Sequence, residues 1–258
     1  MRAEDFKPDD TIALLVKNIS VFESSDKNKT STLPFFADGY PGLMFQETEN
    51  GLTVRPHDKQ MPALFLYGQT IKPIELVMDG SYKLIVFQLY PFVLNSFFGV
   101  SPKEINDGCY DLADVKTDEM AALQNELQQH PLAEDRIEIL TAFLYRQFLS
   151  RQQHLDFGVH DALQMIIDQK GQISVGEICT KLTINERTLE RKFHLEVGLS
   201  PKQFTQIIRF QQSYEQLSSN DYSKLTDIVY ENGYSDQSHF IKVFKAFTGS
   251  TPKHFLKK

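Results

Sequence analysis

The sequence predicts an α+β chain in two parts. Residues 1–156 read as a small antiparallel β-barrel or sandwich with accessory helices, and residues 157–258 as an all-α part. Three observations predict this division. Short apolar runs separated by turn residues fill roughly the first 90 residues. From Pro91 onward, apolar residues recur at spacings of three and four. In the final stretch one two-helix pattern occurs twice, the mark of a duplicated structural unit.

In the β-rich part, the expected strands are Thr11–Val16, Gly42–Phe45, Ala63–Tyr67 and Lys83–Tyr90, with Asp38-Gly39, Asn50-Gly51, Arg55-Pro56 and Asp79-Gly80 as turns. Ile74, Leu76 and Met78 alternate with Glu75 and Val77, the period of a strand with one buried face. Asn50-Gly51 reads as a hairpin turn, because a type I′ turn needs φ > 0 at both central residues. Four to seven such strands favour a sandwich or barrel. The accessory helices are Val93–Gly99, Ser101–Asn106, Thr117–Gln129 and Glu134–Gln152. In the last, Ile137, Leu140, Leu144 and Phe148 form one apolar stripe, which serves either packing onto the β-part or a dimer seam.

Composition narrows the class. With 258 residues, 41% hydrophobic and 24% charged, the chain can bury a real core. That excludes a disordered tail, a collagen-like repeat and a disulfide-stapled miniprotein. No run approaches the ~20 apolar residues that cross a bilayer, so no membrane partner is expected. The acidic start Met1–Asp10 lacks the apolar core of a secretory signal, and Cys109 and Cys179 sit in no paired motif. Reduced thiols and a cytoplasmic location follow as expectations. The formal charge of −7 argues against nucleic acid until it is divided. Residues 1–158 hold 14 Lys+Arg against 23 Asp+Glu, a net of −9, and residues 159–258 hold 13 against 11, a net of +2.

The helical part opens with Val159–Gln169, which stops at Gly171. The first copy of the repeat is Glu177–Phe193 followed by Gly198–Phe204; the second is Asp227–Phe244 followed by Gly249–Phe255. The offset is 50 residues up to Asn185/Ser235 and 51 from Leu189/Phe240 onward. Each copy reads as a short helix, a tight turn and a second helix, with Asn185 and Ser235 as N-caps. Ile178, Leu182, Leu189 and Phe193 face inward in copy one, as do Ile228, Phe240 and Phe244 in copy two. The second helices must then turn Arg187, Glu190 and Arg191, and Gln237, Ser238, His239 and Lys242, outward. These side chains can hydrogen-bond base edges or phosphates, which makes each copy a candidate helix-turn-helix. Between the copies, Ser200 caps a helix over Pro201–Leu217, with Pro201 at its first position. Its ~26 Å length suits holding two recognition helices near the ~34 Å repeat of the major groove. Arg209, midway along, is a candidate phosphate or inter-helix contact.

Residues ~160–257 resemble the DNA-binding domain of AraC/XylS-type bacterial transcriptional regulators. The resemblance is carried by Arg187-Thr-Leu-Glu-Arg-Lys-Phe193, Gly198-Leu-Ser-Pro201, Gly233-Tyr-Ser-Asp-Gln-Ser-His-Phe240, and Val243-Phe-Lys245 leading into Gly249-Ser-Thr-Pro252. It implies two helix-turn-helix units on one rigid linker helix, reading adjacent major grooves. The implied base-reading positions are Arg187, Glu190 and Arg191, then Gln237, Ser238, His239 and Lys242. Leu182-Thr-Ile-Asn185 stands where the family usually has Gly-Met/Leu-Ser. Glu190 repels phosphate, so as a reader it accepts from a cytosine amine. The first part resembles the β-rich sensor half of one branch of that family, through Tyr67-Gly-Gln-Thr-Ile-Lys-Pro73, Tyr90-Pro91, and Phe98-Gly-Val-Ser-Pro-Lys-Glu-Ile105 running to Leu112-Ala-Asp114. That implies a cupin-like barrel followed by helices; Pro91-Phe92 replaces the usual Pro-Gly.

The expected function is therefore sequence-specific transcriptional regulation. The expected partners are double-stranded DNA, RNA polymerase, a small-molecule effector and a second copy in a homodimer. Alternatives are a ligand-binding cupin-like protein acting through protein contacts, and an enzyme on the cupin-like half. No catalytic residue, cofactor or metal is expected. His57, His130, His154, His160, His194, His239 and His254 form no HxH, HxxxH or HExxH spacing, and the β-part offers His57 alone. Cys109, with Asp111 and Asp114 nearby, reads as a structural thiol. The aromatics Phe35, Phe36, Tyr40, Phe45, Phe65, Tyr67, Tyr82, Phe87 and Tyr90 read first as core, with an effector pocket as the other use.

Overall fold

In the computed structural model, residues 2–112, 117–151 and 156–256 are described. Asp114, Gln152 and His154, singled out above, lie outside them. The chain clusters into two compact units: Met1–Phe35, Tyr40–Gln69 and Ile74–Leu155 form the first, and Phe36–Gly39, Thr70–Pro73 and Asp156–Lys258 the second.

The first unit is an antiparallel β-sandwich with helices. Its strands are β1 (Arg2–Phe6), β2 (Val16–Ser24), β3 (Thr30–Phe35), β4 (Gly42–Thr48), β5 (Leu52–Arg55), β6 (Lys59–Gln60), β7 (Leu64–Tyr67), β8 (Ile74–Asp79), β9 (Tyr82–Leu89) and β10 (Cys109–Asp111). One sheet has the order β1-β2-β9-β4-β7-β10 and the other β3-β8-β5-β6. Leu33, Leu52, Leu76 and Met78 from the smaller sheet meet Met44, Phe65, Tyr82, Leu84 and Val86 from the larger in one buried cluster. The expected aromatics divide: Phe45, Phe65 and Phe87 are fully buried core, and Tyr40 and Tyr82 nearly so.

Two expectations are corrected here. Thr11–Val16 is not a strand. The Ile12 amide donates to the Asp9 carbonyl at 3.0 Å, and those of Leu15 and Val16 donate to that of Ile12 at 2.8 and 2.9 Å. Ile12, Leu15 and Val16 are buried while Leu14 is 39% exposed, which is helical spacing, and pairing starts only at Val16. Asn50-Gly51 is a turn but not a hairpin. Strand β4 pairs with β7 and β9, whereas β5 pairs with β6 and β8. The chain therefore crosses from the larger sheet to the smaller at Gly51, between β4 and β5, and from the smaller to the larger at Gly80, between β8 and β9, both at φ +88, with β7 paired in the larger sheet in between. The Asn50 amide nitrogen donates to the Asp79 carbonyl at 3.1 Å and joins the two corners. Among the described residues, nine strands lie in the first 90 positions against the expected four to seven, because β1 is charged and exposed and β5–β6 is very short.

Helices α1 (Pro102–Ile105), α2 (Thr117–Gln129) and α3 (Ala133–Arg151) follow a single π-helical turn at Leu94–Phe98. The α3 stripe packs inside this unit: Leu140 and Leu144 are buried, and Phe148 meets Phe97 at 5.8 Å. Arg136, 2% exposed, ties α3 to the sheet. Its Nη1 and Nη2 donate to the Glu47 carboxylate at 2.6 and 2.7 Å, and Nε donates to the Leu127 carbonyl at 3.0 Å.

The second unit contains α4 (Phe157–Asp168), α5 (Val175–Leu182), α6 (Glu186–Glu196), α7 (Pro201–Ser218), α8 (Leu225–Glu231), α9 (Gln237–Thr248) and α10 (Pro252–Phe255). Phe193, Phe204, Phe210, Phe240 and Phe244 are fully buried and form its core. Among the described residues no helix is long and apolar enough to cross a membrane.

Candidate nucleic-acid interface

In the first two-helix unit, α5 opens with a capping box. Ser174 Oγ accepts from the Glu177 amide at 3.2 Å, and Glu177 Oε2 accepts from the Ser174 amide at 2.9 Å. The helix closes at Thr183, at φ +54 and ψ 42. A β-branched residue rarely adopts this left-handed conformation. In the second unit the equivalent position is Gly233, at φ +67, for which it costs little. The left-handed residue thus stands at the same place in both copies, although the first lacks the glycine, and the second turn is one residue longer before its N-cap. Asn185 Oδ1 then accepts from the Thr188 amide at 2.8 Å and starts α6.

Helix α6 buries Leu189 and Phe193 completely. Arg187, Glu190 and Arg191, at i, i+3 and i+4, share its opposite, exposed face. Helix α6 is anchored to the start of α4 by Lys192, whose Nζ donates to Asp156 Oδ2 at 2.6 Å. Partial burial pushes the Asp156 carboxyl up, but the hydrogen bond and charge of Lys192, with the amides of Val159 and Gly158, outweigh it and hold it below its ordinary value.

In the second unit, α8 and α9 repeat the arrangement with one correction. The N-cap of α9 is Asp236, not Ser235: its Oδ1 accepts from the His239 amide at 2.8 Å. That amide bond is the main reason its carboxyl lies below the usual range. Ser235 Oγ instead hydrogen-bonds Asp236 Oδ2 and His239 Nδ1, both at 3.2 Å. Phe240 and Phe244 face inward, while Gln237, Ser238 and Lys242 are exposed. His239 is half-buried, its ring edge-on to Tyr234 at 5.5 Å. Burial pushes the Tyr234 phenol up to about 12, so it stays neutral and contributes packing rather than charge. With the 51-residue offset, Arg187 and Arg191 coincide with Ser238 and Lys242, so the two exposed edges occupy matching positions of the repeat.

Arg209 is placed differently from the other candidate readers. It is half-buried, and its Nε and Nη2 donate to the Gly171 carbonyl at 3.0 and 2.7 Å, while Nη1 donates to the Gly233 carbonyl at 3.1 Å. Of the two uses expected for it, the geometry is that of an inter-helix contact. Sequence reasoning missed Gln172, whose amide nitrogen donates to the Glu231 carbonyl at 2.9 Å. No local signal marks it, because its partner lies 59 residues away. Among the described residues no three His, Cys, Asp or Glu side chains are grouped to hold a metal ion.

Residues 178–258 match the family described as a helix-turn-helix domain, and residues 4–111 match a domain of unknown function, DUF6597. The HTH-type transcriptional activator RhaS of Klebsiella pneumoniae (strain 342) is 24% identical over 131 residues, 49% of this chain and 47% of that protein. RhaS of Yersinia pestis (strain Pestoides F) is 31% identical over 77 residues, 30% of this chain and 28% of that protein. The chain thus spans less than half the length of these relatives. Among solved structures, ToxT from Vibrio cholerae O395 is 16% identical with a TM-score of 0.47, covering 92% of this chain and 95% of that one. Residues 178–258 thus carry a helix-turn-helix domain, and the chain is similar over that stretch to HTH-type transcriptional regulators.

Proposed function

We propose that the chain is a sequence-specific DNA-binding transcriptional regulator, with α6 and α9 as recognition helices in adjacent major grooves. One observation carries this reading. The same capped two-helix unit occurs twice in one compact body, and each second helix turns a polar edge outward at matching positions. Arg187 and Arg191 suit guanine, whose O6 and N7 accept a bidentate guanidinium, and Glu190 suits a cytosine amine. Gln237 suits adenine, while Ser238, His239 and Lys242 suit either base edges or phosphate. The small net charge of residues 159–258 implies modest nonspecific affinity and a shallow salt slope. The β-rich unit is assigned the modulating role, with a small-molecule effector, a second copy of the chain and RNA polymerase as partners.

Arg191→Ala is expected to weaken binding to the cognate duplex by ~1–3 kcal/mol and to relax one base position. Titrations against a set of single-base operator variants check this. Unchanged affinity and base preference would remove Arg191 from the reading edge.

A further inference from the structure

The two recognition helices can read one duplex only if their separation matches the repeat of the groove. The structure contains a contact that touches both units at once. Gly171 lies in the turn that leads from α4 into the first unit, and Gly233 lies in the turn between the two helices of the second. The Arg209 guanidinium, at the middle of α7, binds the carbonyls of both. Those carbonyls follow the C-terminal ends of α4 and α8, where the peptide dipoles leave negative partial charge, so a fixed cation suits the spot.

The surroundings leave little room for other arrangements. Gly171, at φ +70, lies so close to α7 that a Cβ there would come within 2.5 Å of the Thr205 carbonyl oxygen and 2.6 Å of the Arg209 amide nitrogen. Beside the guanidinium, the Gln172 side chain reaches the Glu231 carbonyl, which links the same two turns directly. Asn232 Nδ2 donates to Gln216 Oε1 at 2.8 Å, and the Tyr234 hydroxyl lies 3.3 Å from Ser213 Oγ, so the second turn is held to α7 as well.

We infer that Arg209 is a positioning residue that sets the stride between the two recognition helices, and so determines which spacing of half-sites the protein accepts. This rests on the DNA-reading function proposed above. It assigns Arg209 to spacing selectivity and not to base or phosphate contact. A planar guanidinium can meet two carbonyls in different directions at fixed angles; an ammonium on a flexible stem cannot hold both in the same way.

The test is selection of bound duplexes from a random-sequence DNA pool, done in parallel with the full-length wild-type chain, Arg209→Ala and Arg209→Lys, with helical circular dichroism recorded for each. Wild type is expected to enrich a two-part motif at one spacing, near one helical turn between centres. Arg209→Ala is expected to enrich the same two half-motifs spread over several neighbouring spacings, with Arg209→Lys between the two. If Arg209→Ala keeps the single spacing, or keeps it while losing a base preference, the inference is overturned, and in the latter case Arg209 reads DNA. Should Arg209→Ala not fold, Arg209→Lys and Gln172→Ala carry the same comparison, and an unaltered spacing in both overturns the inference. A wild-type pool without any motif defeats the DNA-reading function itself, and the inference with it.

Discussion

Phe210→Ala is expected to lower the stability of the helical unit by about 3–5 kcal/mol, the range for truncating a buried phenylalanine. Phe210 has no exposed surface and lies on α7, one residue beyond Arg209. Its ring centroid is 5.7 Å from that of Phe244, 5.0 Å from Phe247 and 5.9 Å from Tyr214. Phe244 in turn meets Phe240 at 5.7 Å. Truncation therefore opens a cavity where α7 supports α9. Against a typical domain stability of about 5–15 kcal/mol, that loss is a large fraction. Urea unfolding followed by helical circular dichroism measures it. A loss below about 1 kcal/mol would mean that the surrounding rings collapse into the space and that α7 does not hold α9 by this packing.

Arg136→Ala is expected to destabilise the β-rich unit by about 2–3 kcal/mol. Removing one partner of a buried ion pair costs about 3–5 kcal/mol. The figure here is lower because the Glu47 side chain is 46% exposed, so water can solvate the carboxylate left behind. The remaining cost has three parts: the bidentate pair, the Nε bond to the Leu127 carbonyl, and the contact with the Phe45 ring at 5.0 Å. Arg136→Met keeps most of the volume and separates polar from packing contributions. If Arg136→Ala unfolds at the wild-type urea midpoint, α3 is held to the sheet by its apolar stripe alone.

The duplicated unit was readable because everything that defines it is local. Apolar residues such as Leu189 and Phe193 repeat within one helix, and the caps stand next to the helices they start. Even there, Ser235 and Asp236 are adjacent and equally suited to capping. Only the direction of the His239 amide decides between them. Ile12, Leu15 and Val16 have strand-like composition, but the Asp9 side chain accepts from the Thr11 amide at 2.8 Å and starts a helical turn instead. At Asn50-Gly51 the turn was legible and its destination was not, because sheet membership depends on Leu52 pairing with Met78. The α3 stripe left packing and a dimer seam open; the burial of Leu140 and Leu144 and the ring contact of Phe148 with Phe97 give it partners within the unit. Arg209 shows the same limit at the candidate site: its acceptors are 38 and 24 residues away, and no helical periodicity contains that information.

The central claim is that α6 and α9 read one duplex together. The most direct measurement is methylation interference at guanine N7 on a duplex selected by the full-length chain. The account predicts two interfering patches on one face of the DNA, centred about 10 bp apart. Arg191→Ala should weaken the patch read by α6 and leave the one read by α9 in place. A single patch, or interference scattered around the whole duplex, would contradict paired reading.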